Sequence, residues 1–500
     1  NKVLKDMIVK SRQLKGMDAT YVPGWDCHGL PIENQIEKNF GRNLPRAEVQ
    51  AKARAYATEQ IAQQMADFKR LGVLGDWAHP YRTMDFGNEA GEIRALKRVM
   101  ERGHVYRGLK PVYWCFDCGS SLAEFEIEYA DKTSQSLDVA FACAEPERLA
   151  AAFGLPSLPR EAFAVIWTTT AWTIPANQAL NLNPALDYSL VDTERGVLLL
   201  AAARVEDSLL RYGIAGTVLA TALGERLDGI AFRHPLAHVD AAYDRASPIY
   251  LADYATADDG TGLVHAAPAY GVDDFKSCVA HGMAIDDILN PVTGSGVYDT
   301  SLPLFGGQTI INADGKEGPA NVSNIKALHA SGALLAKGKL KHSYPHSWRS
   351  KAPLIYRNTP QWFVSIDKPL VDGMGQHGDT IRTRALTSID QLVQWTPQTG
   401  RNRLYSMIEA RPDWVLSRQR AWGVPLTCFT KVGAKPTDAD FLLRNAEVNA
   451  RIKAAFEAEG ADVWYVAGFK EKVLGGIVDP AAYTQVFDVL DVWFDSGSTH

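Results

Sequence analysis

The chain has 500 residues, with 52 Lys and Arg against 58 Asp and Glu, a formal net charge of −6. Its 46% apolar and 22% charged residues exclude a disordered or fibrous chain, and the length suggests about three domains. The longest strictly apolar run, Val197–Ala203, falls far short of the ~18 residues of a membrane span, six Cys make no disulfide framework and fit a reducing, cytoplasmic setting, and the acidic balance confines any nucleic-acid site to a local patch.

In chain order, residues 2–15 place Val3, Met7 and Leu14 at helical spacing among lysines and arginines, and Gly16 stops the helix. A short strand-like run, Ala19–Gly24, ends at Pro-Gly, and a probable helix follows at Asn34–Asn39. Between Glu48 and Leu71, Val49, Ala53, Tyr56, Ile61, Met65, Phe68 and Leu71 mark one face of a long amphipathic helix. A further helix runs from about Glu89 to Arg102, with Ile93, Leu96 and Met100 inward and Gly103 as its stop. After about Asp131 the pattern changes to short apolar runs separated by turns: Phe163–Trp167, Tyr188–Val191, Val197–Ala201, Ile249–Ala252 and Leu263–Ala267. From about Lys341 an aromatic-rich α/β character returns. The pattern is an α/β domain interrupted by a β-rich insertion.

Between the first strand and the next helix stands Gly24-Trp25-Asp26-Cys27-His28-Gly29-Leu30-Pro31-Ile32-Glu33. Ligands of open α/β sheets bind beyond the carboxyl ends of strands. There an Asp can pair with a substrate ammonium and a His can donate to an anionic group, although a lone Asp or His in such a loop more often just caps it. Thr168-Thr169-Thr170 follow the strand run Phe163–Trp167, so their hydroxyls sit at a strand end, able to hold a water or a ribose hydroxyl without adding charge. Taken alone, they are ordinary strand residues.

The decapeptide resembles the class I aminoacyl-tRNA synthetases of the isoleucyl type; valyl and leucyl relatives use different residues in this loop. The likeness continues through Thr168–Asn177 (TTTAWTIPAN) and Gly260–Asp274 (GTGLVHAAPAYGVDD), which resemble the two halves of the family's editing pocket. Pro360–Phe363 (PQWF), Ser417–Pro425 (SRQRAWGVP) and Asp491–Ser498 (DVWFDSGS) complete it. The resemblance implies a Rossmann-like parallel-sheet catalytic domain at 1–134 and 331–500, interrupted by a β-rich editing insertion at 135–330. It also implies a fragment, with the HIGH motif before Asn1 and the KMSKS motif after His500, so that the activation step has no assigned catalytic residue here and the piece alone is not expected to activate an amino acid.

By that resemblance Asp26 holds the isoleucine ammonium and Trp493 forms a wall of its pocket. Thr168, Thr169, Thr170, Asn177, His265 and Asp274 form the editing site, with Asp274 on the ammonium and the others orienting ester and water. No Ser–His–Asp or Cys–His arrangement is evident, so attack by bound water is expected. A second site answers a physical need. Valine lacks one methylene of isoleucine, worth about 0.8 kcal/mol from burial. With packing this becomes ~1–3 kcal/mol, about 10- to 200-fold, an argument of which this family is itself the standard illustration.

The implied partners are tRNA(Ile), isoleucine and ATP, with Mg2+ on the phosphates and no membrane. Cys115-Phe116-Asp117-Cys118 has zinc-ligand spacing, but the segment that supplies a second Cys pair in metal-binding relatives reads His346-Ser347-Trp348-Arg349-Ser350 here. Ser is a poor zinc ligand, so no zinc is expected. A valyl synthetase, a tRNA deacylase without ligase activity and a non-enzymatic RNA-binding module stay open as other readings.

Overall fold

The computed structural model describes residues 2–312 and 315–499. Its tertiary contacts divide the chain into two units, Asn1–Gly108 with Gln361–His500, and Leu109–Pro360. The strands Val105–Cys115 and Ile355–Val364 carry the chain across those boundaries.

In the discontinuous unit the first helix, Lys2–Leu14, ends where Gly16 takes the left-handed conformation, and none of its residues is buried. The helix Arg46–Arg70 buries Val49, Ala53, Ala57 and Ile61 at four-residue steps. The helix Phe86–Glu101 buries Ile93, Leu96 and Met100 as the spacing predicts, but also Glu89, Glu92 and Lys97. Its apolar residues pack with Trp362, Leu416, Val424, Phe456, Trp464 and Phe494 into one core. The early strand is Gly24–Trp25, later than the run Ala19–Gly24 suggests, and it pairs in parallel with Tyr81–Arg82. Leu30–Phe40 follows as a helix with Pro31 in its first turn.

The unit Leu109–Pro360 is β-rich. A six-stranded sheet has the order Gly216–Leu223, Asp187–Thr193, Gly196–Ala201, Ala162–Thr168, Ile127–Ala142, Leu334–Ser347. Its pairings are antiparallel except Ala162–Thr168 with Gly196–Ala201. A four-stranded sheet has the order Ala231–Arg233, Ala246–Leu251, Ala179–Leu182, Val264–Ala266. Their buried faces share a core around Phe141, Ile166, Leu180, Leu199, Phe232 and Ile249. The architecture is thus mixed α/β with parallel and antiparallel pairing and a β-rich insertion.

The β-rich unit reaches past residues 135 and 330 on both sides. The cause is the register of two long strands, in which Leu334 pairs with Val139 and Ser347 still pairs with Ile127. Every residue in that ladder is held to the insertion.

Candidate functional site

In the β-rich unit, Thr168 ends its strand and Thr170 opens a short helical turn, Ala171–Ala176. The Thr168 and Thr170 hydroxyls lie 3.1 Å apart, and the Thr170 hydroxyl lies 3.1 Å from that of Thr173. His265 sits on Val264–Ala266, opposite Leu180, and is 6% exposed. Asn177 Nδ2 is 3.4 Å from His265 Nδ1, and Thr173 Oγ1 is 2.9 Å from Nε2. An amide N–H donating to Nδ1 puts the ring proton on Nε2, which donates to Thr173; the Thr173 hydroxyl in turn donates to the Thr170 carbonyl (2.8 Å). Burial pulls the imidazole down to about 4, so at neutral pH it is uncharged. Asn177 is itself fixed by Ser247, whose hydroxyl donates to its Oδ1 (2.6 Å).

The chain Thr168–Thr170–Thr173–His265–Asn177 is therefore a rigid row of hydroxyl, imidazole and amide groups with no net charge. Thr169 lies between two members of the row, half-buried. Asp274 is held separately, in the first turn of the helix Val272–Ala280. Its Oδ1 accepts from the Tyr254 hydroxyl (2.8 Å) and its Oδ2 from the backbone N–H of Ala267 (3.1 Å), two residues beyond His265. Burial raises its pKa, and these two hydrogen bonds offset part of the rise. An ammonium bound there would lower it further.

Sequence reasoning singled out the threonines, His265, Asn177 and Asp274 but missed Thr173, Tyr254 and Ser247. Thr173 had a signal, three residues after Thr170 at the start of a helical turn. Tyr254 and Ser247 had none, because only the parallel pairing of Ala246–Leu251 with Ala179–Leu182 brings their segment here.

In the discontinuous unit, Asp26 is exposed just beyond the strand Gly24–Trp25, and the Ser496 hydroxyl donates to its Oδ2 (3.0 Å). Ser496 belongs to the helix Val492–Gly497, which also carries Trp493, 46% exposed. Gly29, with φ +98°, lets the loop pass this helix: a Cβ there would stand 3.3 Å from the Val492 Cβ. The Glu33 carboxylate accepts the backbone N–H groups of Ala421 (3.1 Å) and Trp422 (3.2 Å), and Trp422 Nε1 donates to the Cys27 carbonyl (2.8 Å).

His28 is not available to an anionic ligand, contrary to the expectation from the loop. It is buried, with Nδ1 2.7 Å from Asp495 Oδ2 and Nε2 3.6 Å from Glu89 Oε1. Burial alone would lower its pKa, but the Asp495 charge and the hydrogen bonds to Asp495 and Glu89 carry it well above the usual range. Glu89 also accepts from Arg54 (2.8 Å) and from the Ala461 backbone N–H (2.6 Å). Against the upward push of burial, His28 and Arg54 hold its carboxyl below the usual range.

Cys115 and Cys118 are joined as a disulfide, a bridge that the cysteine count did not suggest. The Ser350 hydroxyl lies 3.7 Å from Cys115 Sγ and 3.6 Å from Cys118 Sγ, and that of Ser347 lies 3.9 Å from Cys118 Sγ. The two disulfide sulfurs and two serine hydroxyls thus converge. Among the described residues no group of three or more His, Cys, Asp or Glu is arranged to hold a metal ion. No helix of the described residues is long and apolar enough to cross a membrane.

A family profile described as tRNA synthetases class I (I, L, M and V) matches residues 1–500. An isoleucine–tRNA ligase of Burkholderia lata is 54% identical over 501 residues, covering 100% of this chain and 51% of that protein. Isoleucine–tRNA ligase 1 of Burkholderia pseudomallei is 55% identical with the same coverage. The chain spans about half the length of the curated relatives it matches. The solved editing domain of P. falciparum cytosolic leucyl-tRNA synthetase is 9% identical, covers 40% of this chain and 81% of its own, and has a TM-score of 0.26, a likeness that carries no argument.

Proposed function

The chain belongs to the class I tRNA synthetases, and from that premise we propose that it serves an isoleucine–tRNA ligase acting in the cytoplasm. ATP and isoleucine give isoleucyl-adenylate and pyrophosphate, after which a ribose hydroxyl of tRNA(Ile) takes the acyl group. The observation that carries this reading is the identity of 54% to 55% with isoleucine–tRNA ligases along the whole chain. The exposed Asp26 carboxylate holds the substrate ammonium, with the Trp493 ring as a wall for the isoleucine side chain. Ser496, donating to Asp26, fixes the rotamer that meets the ammonium.

Class I tRNA synthetases in general use ATP and Mg2+. The acidic groups around Asp495 do not fit a divalent cation, because His28 and Arg54 already supply the positive charge there. No step is therefore assigned through Mg2+ in this segment, and none through zinc.

For the β-rich unit we propose hydrolysis of mischarged valyl-tRNA. Asp274 takes the ammonium, and the Thr168 and Thr170 hydroxyls orient the ester and a water. The water oxygen attacks the carbonyl carbon, the bond to the ribose oxygen breaks as that oxygen takes a proton from the attacking water, and valine and free tRNA leave. His265, neutral and with both ring nitrogens engaged, positions the row of hydroxyls instead of taking the proton. The test is amino-acid-dependent ATP–pyrophosphate exchange by the full-length protein, with deacylation of valyl-tRNA(Ile) measured beside it. Isoleucine driving exchange best, together with deacylation, supports the reading. Valine driving it best supports a valyl enzyme, and deacylation without exchange a pure deacylase.

A further inference from the structure

Glu92 is the least explained buried charge of the discontinuous unit. It is 1% exposed, one turn along the helix Phe86–Glu101 from Glu89. Neither of its oxygens receives an N–H or O–H from the described residues, and its carboxyl is within hydrogen-bond reach of the Asp495 carboxyl. Two buried carboxyls in contact cannot both be ionised without a cation between them. The cation present, His28, makes its close contacts with Asp495 and Glu89 and none with Glu92. One proton must therefore sit between Glu92 and Asp495. Asp495 is hydrogen-bonded to the imidazolium and Glu92 is not, so the proton belongs to Glu92.

From this geometry we infer that Glu92 is a neutral acid that donates to Asp495 and thereby clamps the helix Val492–Gly497 to the loop Asp26–Gly29, making it a positioning residue for the amino-acid site. The inference deepens the reading of Asp26 and Trp493 as the isoleucine site and rests on it. The clamp has a clear route to that site. Asp495 stands two residues from Trp493 and next to Ser496, which donates to Asp26. His28, the other end of the clamp, stands two residues from Asp26 in the same loop. Holding Asp495 between Glu92 and His28 therefore fixes the spacing between the ammonium ligand and the ring wall.

The groups that face Glu92 are Asp495 from the last helix, His28 from the loop, Glu89 from its own helix and Tyr81 from the short strand, with Asp26 near Asp495. Burial and then the Asp495 charge raise Glu92 well above the usual carboxylate range, and His28 offsets only part of that. Raising the pH removes the proton and sets two carboxylates face to face. The clamp then opens, and isoleucine is held less well.

Three readouts on the full-length protein test this: the infrared carbonyl stretch of a protonated carboxyl at neutral pH, the melting temperature against pH, and KM for isoleucine in ATP–pyrophosphate exchange against pH. The wild type is expected to show the protonated-carboxyl band and a KM that climbs at alkaline pH while kcat changes little. E92A is expected to lose the band and to raise KM about tenfold, the worth of one hydrogen bond to a charged group. E92Q, which still donates to Asp495, is expected to lose the band yet restore a low KM and to lessen the alkaline rise in KM and fall in melting temperature, of which the His28 share remains. A band unchanged in E92Q, a wild-type KM flat with pH, or an E92Q as impaired as E92A each overturns the clamp. If no isoleucine-dependent exchange occurs at all, the functional reading fails, while the band and the melting profile still decide where the proton sits.

Discussion

The two halves of the proposed editing site are built from different chemistry, and single substitutions should separate them. Asp274 is the one carboxylate among the proposed editing residues, so Asp274→Ala in the full-length protein should abolish valyl-tRNA hydrolysis while leaving isoleucine-dependent exchange intact; hydrolysis at the wild-type rate would remove Asp274 from the site. Thr173 belongs to the β-rich unit and accepts the hydrogen bond of the His265 ring N–H. Thr173→Val should leave a buried imidazole N–H unpaired, at about 1–3 kcal/mol. Deacylation should slow without a change in amino-acid activation. His265 titrates at about 4 against an ordinary value of 6.5. The unfolded chain therefore binds the proton more readily, and stability should fall as pH drops from 6.5 through 4, which melting profiles of the wild type and His265→Gln can compare. His28 has the opposite sign: its raised pKa means stability that is complete below about 6.5 and is lost as pH climbs through the higher folded value. What sequence could not reveal at this scale was pairing. His28 and Asp495 lie in two motifs that were both recognised, yet nothing in either says that one neutralises the other.

Elements were more legible than their contacts. The apolar runs Phe163–Trp167, Tyr188–Val191 and Val197–Ala201 became the strands Ala162–Thr168, Asp187–Thr193 and Gly196–Ala201, because a strand buried on a sheet face must be apolar over its length. The helix Phe86–Glu101 shows the limit. Glu89 and Glu92 fall on the same stripe as Ile93, Leu96 and Met100, so helical spacing already pointed them inward. Reading polarity alone puts acids outside; only the partners His28, Arg54 and Asp495 make their burial affordable. Gly29 is the element-scale hinge of the amino-acid site. Gly29→Ala combines a backbone conformation reserved for glycine, costing about 1–3 kcal/mol, with a methyl group against Val492. It should lower the melting temperature and raise KM for isoleucine together, since Val492 adjoins Trp493. An unchanged KM would mean that the loop and the helix are not coupled in this way.

At the scale of the whole molecule, each proposed site lies within a single unit: Asp26 and Trp493 in Asn1–Gly108 with Gln361–His500, and Thr168, Asn177, His265 and Asp274 in Leu109–Pro360. The interruption was legible from the change in hydrophobic pattern near residue 131. Its extent was not, because the ladder joining Ile127–Ala142 to Leu334–Ser347 is a long-range pairing with no local mark. Separate units predict separable defects. Asp26→Ala should severely reduce isoleucine-dependent exchange while the protein still deacylates valyl-tRNA, the mirror image of Asp274→Ala, and a joint loss in either variant would argue against two independent sites. The most direct test of the central claim is the amino-acid dependence of ATP–pyrophosphate exchange by the full-length protein, measured with isoleucine, valine, leucine and methionine. The account predicts the highest kcat/KM for isoleucine, with valine activated less well; a higher kcat/KM for any of the other three would contradict it.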